Sequence, residues 1–317
     1  MLRIFPIGIT LCLVAASANS QVTMAASSAV DWAATASAVT QLDNKTLPIS
    51  SSIPPARSLF AQAASNGRRA DARIVASAGA LNLRVEATVS ASAALIAPAS
   101  ARVVADSLVR LTSTTLSPGF LEIRTSGSSS GGGRARIVAR LGTRNVFSWS
   151  SETQSVTHRV PVIVGAAGVV EVYLAIAADA TASSALAAQQ ASIVADITFI
   201  AAKCVAMPYA TSCQSSDASF VQTRTLEISG SNSVPNGVGF SMVGFRESRT
   251  TTNYFGCFVL LDIQVIFAPY TIDANGNFAH RIALPPATLR FRIQDAQLEP
   301  SLRDVRTSTA FEVACIP

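Results

Sequence analysis

The sequence predicts an all-β protein made of two antiparallel β-sandwich domains that follow a cleaved signal peptide. Three observations support this prediction. Short apolar runs rich in β-branched residues recur along the chain, several of them alternate strictly between apolar and polar residues, and no long amphipathic helical pattern occurs. A period of two is typical of strands with one buried face. Many such strands without intervening helices exclude a parallel α/β sheet.

The first 20 residues have the order of a secretory signal peptide. Arg3 provides a short positive region, residues 4–14 are apolar, and residues 16–20 offer small-residue cleavage sites. This apolar stretch is too short for a stable membrane span, and no later segment is a transmembrane candidate. We therefore expect a secreted protein located in the periplasm, at the cell surface or in the extracellular medium.

The composition narrows the range of partners. Charged residues make up 14% of the 317 residues, well below the usual share of about 25%. The formal net charge of +5 falls to +4 when Arg3 is removed with the signal peptide, because that segment holds no other charged side chain. The arginines are scattered and form no basic cluster, so we expect no nucleic-acid binding.

Residues 21–70 are rich in Ala, Ser and Thr and show little periodicity, and we interpret them as a loosely ordered leader. Residues 71–203 are predicted to form the N-terminal β-sandwich. Residues 126–133, rich in Gly and Ser, are predicted to be a flexible loop, because they lack the Lys-Ser/Thr ending of a phosphate-binding loop. The strands predicted in this domain are residues 81–89, 102–111, 120–125, 134–141, 145–150, 156–164, 169–176 and 191–200.

Residues 204–317 are predicted to form a C-terminal, disulfide-bonded β-sandwich. Its longest apolar run, residues 257–267, predicts a strand buried on both faces at the centre of the domain. Asn275-Gly276 between two apolar runs is a strong hairpin signal. The other strands predicted here are residues 224–229, 237–245, 277–284, 289–296 and 307–316.

Four cysteines remain after removal of the signal peptide: Cys204, Cys213, Cys257 and Cys315. All four lie in the last third of the chain, which places the predicted domain boundary just before Cys204. An even number of cysteines in an exported protein indicates two disulfides, with three connectivities open.

Several short motifs occur together in the last third of the chain. They are Pro-Tyr-Ala-Thr-Ser-Cys at 208–213, Ser-Val-Pro-Asn-Gly at 233–237, Gly256-Cys257, Thr-Ile-Asp-Ala-Asn-Gly at 271–276, Leu-Pro-Pro at 284–286 and Gln294. In these motifs, residues 208–317 resemble an uncharacterised C-terminal β-domain of exported proteins from environmental Gram-negative bacteria. The chain departs from that pattern at Ala210, where glycine is common, and by adding Cys204 and Cys315. The resemblance implies export and a β-sandwich fold, and it implies no activity.

The resemblance also implies that Cys213 pairs with Cys257, which leaves Cys204 to pair with Cys315. The alternative joins Cys204 to Cys213 across the turn at Pro208 and Cys257 to Cys315, and the sequence leaves both pairings open.

The sequence offers few residues for catalysis. The chain has two histidines, His158 and His280. The Gly-x-Ser-x-Gly sequence at residues 127–131 lies in the Gly/Ser-rich segment and lacks the strand-to-helix context of a nucleophile elbow, and exported cysteines are expected to be oxidised. Asp262 interrupts the apolar run at 257–267, where a structural ion pair or the solvent side of an edge strand is the favoured explanation. We therefore predict no catalytic residue. The alternative is a glycan-active or hydrolytic enzyme, which needs two converging carboxylates or an acid beside His280.

No cofactor or metal is expected. Asp273-Ala274-Asn275-Gly276-Asn277 places oxygen ligands at alternate positions, but the twelfth position of a calcium loop is occupied by Leu284 instead of an acid. A hairpin turn accounts for the same residues.

The candidate ligand contacts are two aromatic residues, Trp149 and Tyr254, and three arginines, Arg134, Arg136 and Arg140. The aromatic rings could stack on sugars, although core packing is the favoured role. The arginines alternate with apolar residues, so they lie on the outer face of one strand and could meet an anionic polysaccharide. The predicted function is a non-catalytic structural, adhesive or ligand-binding role, with a surface polysaccharide or another envelope protein as the partner.

Overall fold

A computed structural model describes most of the chain. The described residues are 22–38, 41–47, 57–65, 67–93, 98–150, 155–183, 187–210, 216–221, 225–231, 233–248, 253–254, 257–301 and 305–317. Within these ranges the regular structure consists of strands, and the paired strands run antiparallel. The predicted all-β, antiparallel fold class is therefore confirmed. None of the described residues belongs to a helix that could span a membrane.

The described parts of residues 22–201 contain twelve strands. They are β1 (Val22–Ala38), β2 (Gln41–Leu47), β3 (Arg57–Ser65), β4 (Arg68–Ala78), β5 (Asn82–Ala93), β6 (Ala99–Ser113), β7 (Ser117–Ser130), β8 (Arg134–Leu141), β9 (Arg144–Ser150), β10 (Val156–Val164), β11 (Val169–Ala182) and β12 (Ala187–Ala201). They form two six-stranded sheets, with the orders β2-β1-β6-β11-β8-β9 and β10-β7-β12-β5-β4-β3.

The two sheets pack face to face around one hydrophobic cluster. Side chains alternate between this cluster and the outside, as in β5, where Leu83, Val85, Ala87 and Val89 are buried. Nearly half of the cluster is alanine, and the rest is mostly Ile, Leu and Val. Trp32 is a fully buried ring of this cluster, and it donates its indole N–H to the Ser107 hydroxyl at 3.1 Å, so its polar atom is satisfied inside the core.

The prediction of a loosely ordered leader at residues 21–70 is wrong for the described part of that segment. β1, β2 and β3 lie there, and β1 pairs with β6 along nearly its whole length. The sequence does not reveal this alternation, because both faces of β1 carry mostly small side chains. In the second half of β1, Ala34, Ala36 and Ala38 are fully buried, and the half-buried positions between them are Thr35 and Ser37.

The loop predicted at residues 126–133 is also mostly strand. β7 continues to Ser130, where it pairs with Gln190 of β12, and only residues 131–133 turn. Gly127 is required here because a Cβ at this position would lie 2.7 Å from Cη2 of Trp149. The glycine therefore marks a close packing contact inside a strand rather than a flexible connection.

The described parts of residues 204–317 contain twelve more strands. They are β13 (Cys204–Ala210), β14 (Ser216–Val221), β15 (Thr225–Gly230), β16 (Val238–Glu247), β17 (Asn253–Tyr254), β18 (Cys257–Phe258), β19 (Leu261–Ile266), β20 (Tyr270–Thr271), β21 (Phe278–Ala283), β22 (Leu289–Leu298), β23 (Val305–Thr307) and β24 (Ala310–Cys315). The main sheet has the order β13-β24-β22-β16-β19, with β20 paired to β16 and β23 to β22. β14-β15-β21 form a three-stranded sheet, and β17 pairs with β18.

A second hydrophobic cluster lies between the main sheet and the three-stranded sheet. Its members come from both sheets and include Leu226, Ile282, Phe291, Ile293 and Val313. The Cys204–Cys315 disulfide joins β13 to β24 inside this cluster. The pairing of Cys204 with Cys315 is therefore confirmed, and the alternative pairing of Cys204 with Cys213 is wrong. Cys213 lies outside the described residues, so the Cys213–Cys257 disulfide stays a prediction.

The prediction of a buried central strand at residues 257–267 is wrong. β19 lies at the edge of the main sheet, and in it only Leu261 is buried, whereas Ile263 and Ile266 are 42% and 60% exposed. Apolar content alone cannot separate a central strand from an edge strand. The edge is indicated by Asp262, which accepts a hydrogen bond from the Gln264 side-chain amide, and by two irregularities in the pairing with β16. Charges and bulges are common protections of exposed edges.

A third, small cluster joins the two halves of the chain. Ile163 of β10 packs there with Val205 of β13 and Ala314 of β24. Nearby, the Arg144 guanidinium donates to the Pro208 carbonyl oxygen at 3.1 Å. The two larger clusters draw their members from residues 22–199 and 204–315, respectively. The domain boundary at 203/204 stays a prediction.

Candidate functional site

The outer face of the first sheet carries the clearest candidate site, centred on β11. Pairing of β11 with β6 and β8 sets Asp179 between Arg102 and Arg134 in one cross-strand row. The next outward row sets Ala177 between Val104 and Arg136. The alternation that buries every second residue of these strands leaves all three arginines exposed.

A groove runs along β11 because its outward residues Ala175 and Ala177 are smaller than their neighbours on β6 and β8. We call it the β11 groove. Its wider part has a volume of about 650 Å³ and its narrower continuation about 320 Å³, and both parts share Arg102, Arg136 and Ala177. Besides these three, its lining includes Ser100, Arg134, Ser150, Asp179 and Thr181 in the wider part, and Asp106, Val138, Arg140 and Tyr173 in the narrower part.

The arginines of the wider part differ from Arg84, Arg110 and Arg124, which also point outward from these sheets. Arg84, Arg110 and Arg124 are neutralised by ion pairs with Asp196, Glu171 and Glu122. Among the described residues, no carboxylate lies within 4.0 Å of Arg102, Arg134 or Arg136, although Asp179 stands on the neighbouring strand. Their positive charge is therefore available to a ligand.

At the narrower end of the groove, lining side chains already contact one another. The Tyr173 hydroxyl donates a short hydrogen bond to Asp106, and the Arg140 guanidinium lies 5.6 Å from the centre of the Tyr173 ring. A cation over an aromatic face is a favourable contact. Arg140 is thus partly engaged, whereas the arginines at the wider end are not.

Of the predicted ligand contacts, the structure places Arg134, Arg136 and Arg140 on the exposed face of β8. The prediction that Trp149 contacts a ligand is wrong, because the Trp149 side chain is only 5% exposed and belongs to the first hydrophobic cluster. Its pairing with Ile137 fixes it on the inward face of β9. Tyr254 lies in β17, and its role stays a prediction.

Sequence reasoning missed Arg102, Ala177 and Asp179. The alternation at residues 102–111 and 169–176 shows which side chains point outward. It does not show that β11 lies between β6 and β8, and only that strand order brings these residues together.

A second cluster of polar residues is buried between the main sheet and the three-stranded sheet. The Ser241 hydroxyl donates to the Asp295 carboxylate at 2.6 Å, and His280 Nε2 lies 2.9 Å from the Ser241 oxygen and 3.5 Å from Asp295 Oδ1. The Tyr270 ring stacks on His280 at a centroid distance of 4.2 Å. Burial and the nearby Asp295 charge raise the pKa of the Tyr270 hydroxyl well above its ordinary value.

This cluster contains the acid beside His280 that the enzyme alternative requires, but its geometry differs from that of a hydrolytic triad. In a triad the serine and the acid contact different nitrogens of the imidazole. Here the serine bonds directly to the acid, and both lie nearest the same nitrogen. Ser241 is fully buried and Asp295 is 2% exposed, so a substrate carbonyl has no access to the serine oxygen.

The remaining predicted positions have structural partners. Asp262 bonds to Gln264 on the exposed edge strand. The Asp273 carboxylate accepts backbone hydrogen bonds from Asn275 and Asn277, both at 2.8 Å, and the bond from Asn277 is the main cause that lowers the pKa of Asp273. His158 stacks on Phe147. Within the described part of the chain, no cluster of three or more His, Cys, Asp or Glu side chains could hold a metal ion.

The fold and the site define an all-β protein whose antiparallel sheets carry an arginine-lined groove on one outer face. No protein-family model matches the chain, and the search of curated proteins likewise finds no match.

Proposed function

We propose that the protein is exported and binds an anionic ligand at or outside the cell surface through the β11 groove, in a non-catalytic structural or adhesive role. The observation that carries this proposal is the set of three exposed arginines, Arg102, Arg134 and Arg136, that line an open groove and have no carboxylate partner among the residues that the structure describes. Unpaired guanidinium groups are well suited to bind carboxylate or phosphate.

The export part of the proposal is supported by two features. The N-terminal 20 residues have the order of a signal peptide. The Cys204–Cys315 disulfide is typical of proteins that fold in an oxidising compartment. We further propose that the chain folds as two β-sandwich domains, which is supported by the two hydrophobic clusters on either side of Lys203.

The non-catalytic part is supported by the chemistry of the groove lining. The described lining contains two acids, Asp179 and Asp106, and Asp106 pairs with Ala175, so the two acids lie four residues apart in register along β11. Neither histidine of the chain lines it. Its serine and threonine hydroxyls therefore have no histidine base beside them to activate a nucleophile.

The test is a binding screen of the mature protein on an array of neutral and anionic glycans. We expect binding to anionic glycans only, and we expect the double substitution Arg134→Gln/Arg136→Gln to abolish or strongly weaken it. The matched control is Arg73→Gln, since Arg73 is an exposed arginine on β4 of the opposite sheet. Equal binding by the groove variant and the wild type would refute the proposed site.

A second candidate function, hydrolysis, is favoured by one observation, the Ser241–His280–Asp295 cluster. Its test is turnover of generic ester, glycoside and peptide substrates by the wild type and by Ser241→Ala. We expect no turnover by either protein. Turnover that disappears in Ser241→Ala and in His280→Ala would establish the enzyme function instead.

A further inference from the structure

We infer that the ligand of the β11 groove is a linear acidic polysaccharide that carries carboxylates and lies lengthwise along β11. This inference rests on the proposed function, because it assumes that the groove binds an anion. It adds the class of the ligand, its orientation and the residues that select it.

The length of the groove suits a polymer. Its lining extends from Tyr173 to Thr181 on β11. Eight residue steps of an antiparallel strand cover about 27 Å. A single small anion would contact only one arginine row, whereas an extended chain contacts Arg102 and Arg134 in one row and Arg136 in the next.

The positions of the charges suit a slender chain with charged groups on both sides. Arg102 and Arg134 lie on the strands flanking β11, so their backbones are about 9.5 Å apart, two strand spacings. Arg136 follows Arg134 on the same side, about 7 Å further along the strand. Ala177 forms an uncharged floor in the row of Arg136, whereas Asp179 lies between Arg102 and Arg134 in their own row. Carboxylates that project sideways from a linear chain can therefore reach a planar guanidinium on either rim.

The hydroxyl groups of the groove suit a sugar chain. Ser100, Ser150 and Thr181 line the wider part together with the arginines. Hydroxyls donate and accept hydrogen bonds, so they can match the hydroxyls of a polysaccharide between its charged groups.

A densely charged polymer fits less well. Asp179 in the wider part and Asp106 in the narrower part oppose a second negative charge at their own positions. Single-stranded nucleic acid would also need aromatic faces on which its bases can stack. Tyr173 is the aromatic residue in the lining, and its ring already lies beneath Arg140 while its hydroxyl bonds to Asp106. These contacts favour a polymer with widely spaced carboxylates over nucleic acid.

The experiment is isothermal titration of the full mature chain at fixed ionic strength. The probes are polygalacturonate, fully methyl-esterified polygalacturonate, monomeric galacturonate and a single-stranded DNA oligomer. We expect polygalacturonate to bind, and we expect no binding of the esterified polymer or the monomer and at least tenfold weaker binding of the DNA.

Three variants locate the site. Arg102→Gln/Arg134→Gln removes one charge from each rim, and the dissociation constant for polygalacturonate should rise roughly 5- to 30-fold. Ala177→Leu fills the floor without changing the charge, and it should weaken binding as well. The control, Arg73→Gln, should bind as the wild type does. Circular dichroism and thermal unfolding confirm that each variant is folded.

The possible outcomes separate the two proposals. If no anionic polymer binds, or if the double arginine substitution leaves binding unchanged, the proposed function itself is wrong. If the groove variants lose binding but DNA or the monomer binds as tightly as polygalacturonate, the groove is an anion site and only the polysaccharide inference is wrong.

Discussion

At the scale of single residues, Glu122 shows how a buried carboxylate is stabilised by two neighbouring arginines. Its side chain is 3% exposed and bonds to the Arg159 guanidinium at 2.7 Å and the Arg124 guanidinium at 2.6 Å. The hydrogen bond from Arg159 is the main cause that lowers the pKa of Glu122 below its ordinary value of 4.5, and the Arg124 bond and charge act in the same direction.

This pair of contacts predicts a pH dependence of stability. The folded protein binds the Glu122 proton less tightly than the unfolded chain does, so the stabilisation is complete above pH 4.5 and is lost as the pH falls through the lowered pKa. Glu122→Gln should therefore destabilise the protein at pH 7 and lose less stability than the wild type on acidification from pH 5 to pH 3. Urea unfolding at several pH values measures this difference. Glu171→Gln, at a half-exposed ion pair with Arg110, is the control and should keep the acid sensitivity of the wild type.

At the same scale, the candidate site was only partly predictable. The alternation at residues 134–141 was sufficient to place three arginines on one face. Trp149 was ambiguous, because an aromatic residue between two serines fits either face of a strand and only its pairing with Ile137 decides between them. The pairing of Ser241 with Asp295 across two strands, and the approach of His280 from another sheet, depend on tertiary contacts that no local pattern contains.

At the scale of elements, the contrast between β19 and β22 is the main correction to the sequence prediction. Residues 261–266 are more apolar than residues 289–298, yet β22 pairs on both sides and β19 lies at the edge. The reason is that hydrophobic content reports burial of side chains, whereas position in a sheet depends on which strands pair.

Substitutions in the two strands should differ accordingly. Ile263→Ala in β19 removes a 42% exposed side chain and should change the free energy of unfolding by about 0.5–1 kcal/mol at most. Ile293→Ala in β22 removes a side chain that is 1% exposed and should cost about 2–5 kcal/mol. Urea unfolding of both variants checks this; similar losses from the two substitutions would contradict the edge position of β19.

The disulfide between β13 and β24 is the second prediction at this scale. Cys204 and Cys315 are 111 residues apart, so in the chain-entropy model their link restricts the unfolded chain and contributes up to about 4–5 kcal/mol. Cys204→Ser/Cys315→Ser should lower the free energy of unfolding by up to that amount. Non-reducing peptide mapping gives the independent check, since it should recover a peptide that joins Cys204 to Cys315.

At the scale of the whole molecule, the chain separates into two hydrophobic clusters connected near Lys203 by the small cluster around Ile163, Val205 and Ala314. We expect a fragment of residues 204–317 to fold alone under oxidising conditions, since it contains its own cluster and its own disulfide. Dispersed amide signals in an NMR spectrum of the fragment are the expected result. A fragment that stays unfolded while the full chain folds would place the boundary elsewhere or show that the small junction cluster is essential.

The alanine-rich packing of the first two sheets has a thermal consequence. The heat-capacity change of unfolding grows with the apolar surface that becomes exposed. An alanine side chain exposes little apolar surface on unfolding, and nearly half of the cluster between these sheets is alanine. The heat-capacity change per residue should therefore lie below the usual value of about 12–15 cal/mol/K. A smaller heat-capacity change flattens the curve of folding free energy against temperature. The stability of these two sheets should therefore vary less with growth temperature than the stability of two sheets packed around leucine and phenylalanine.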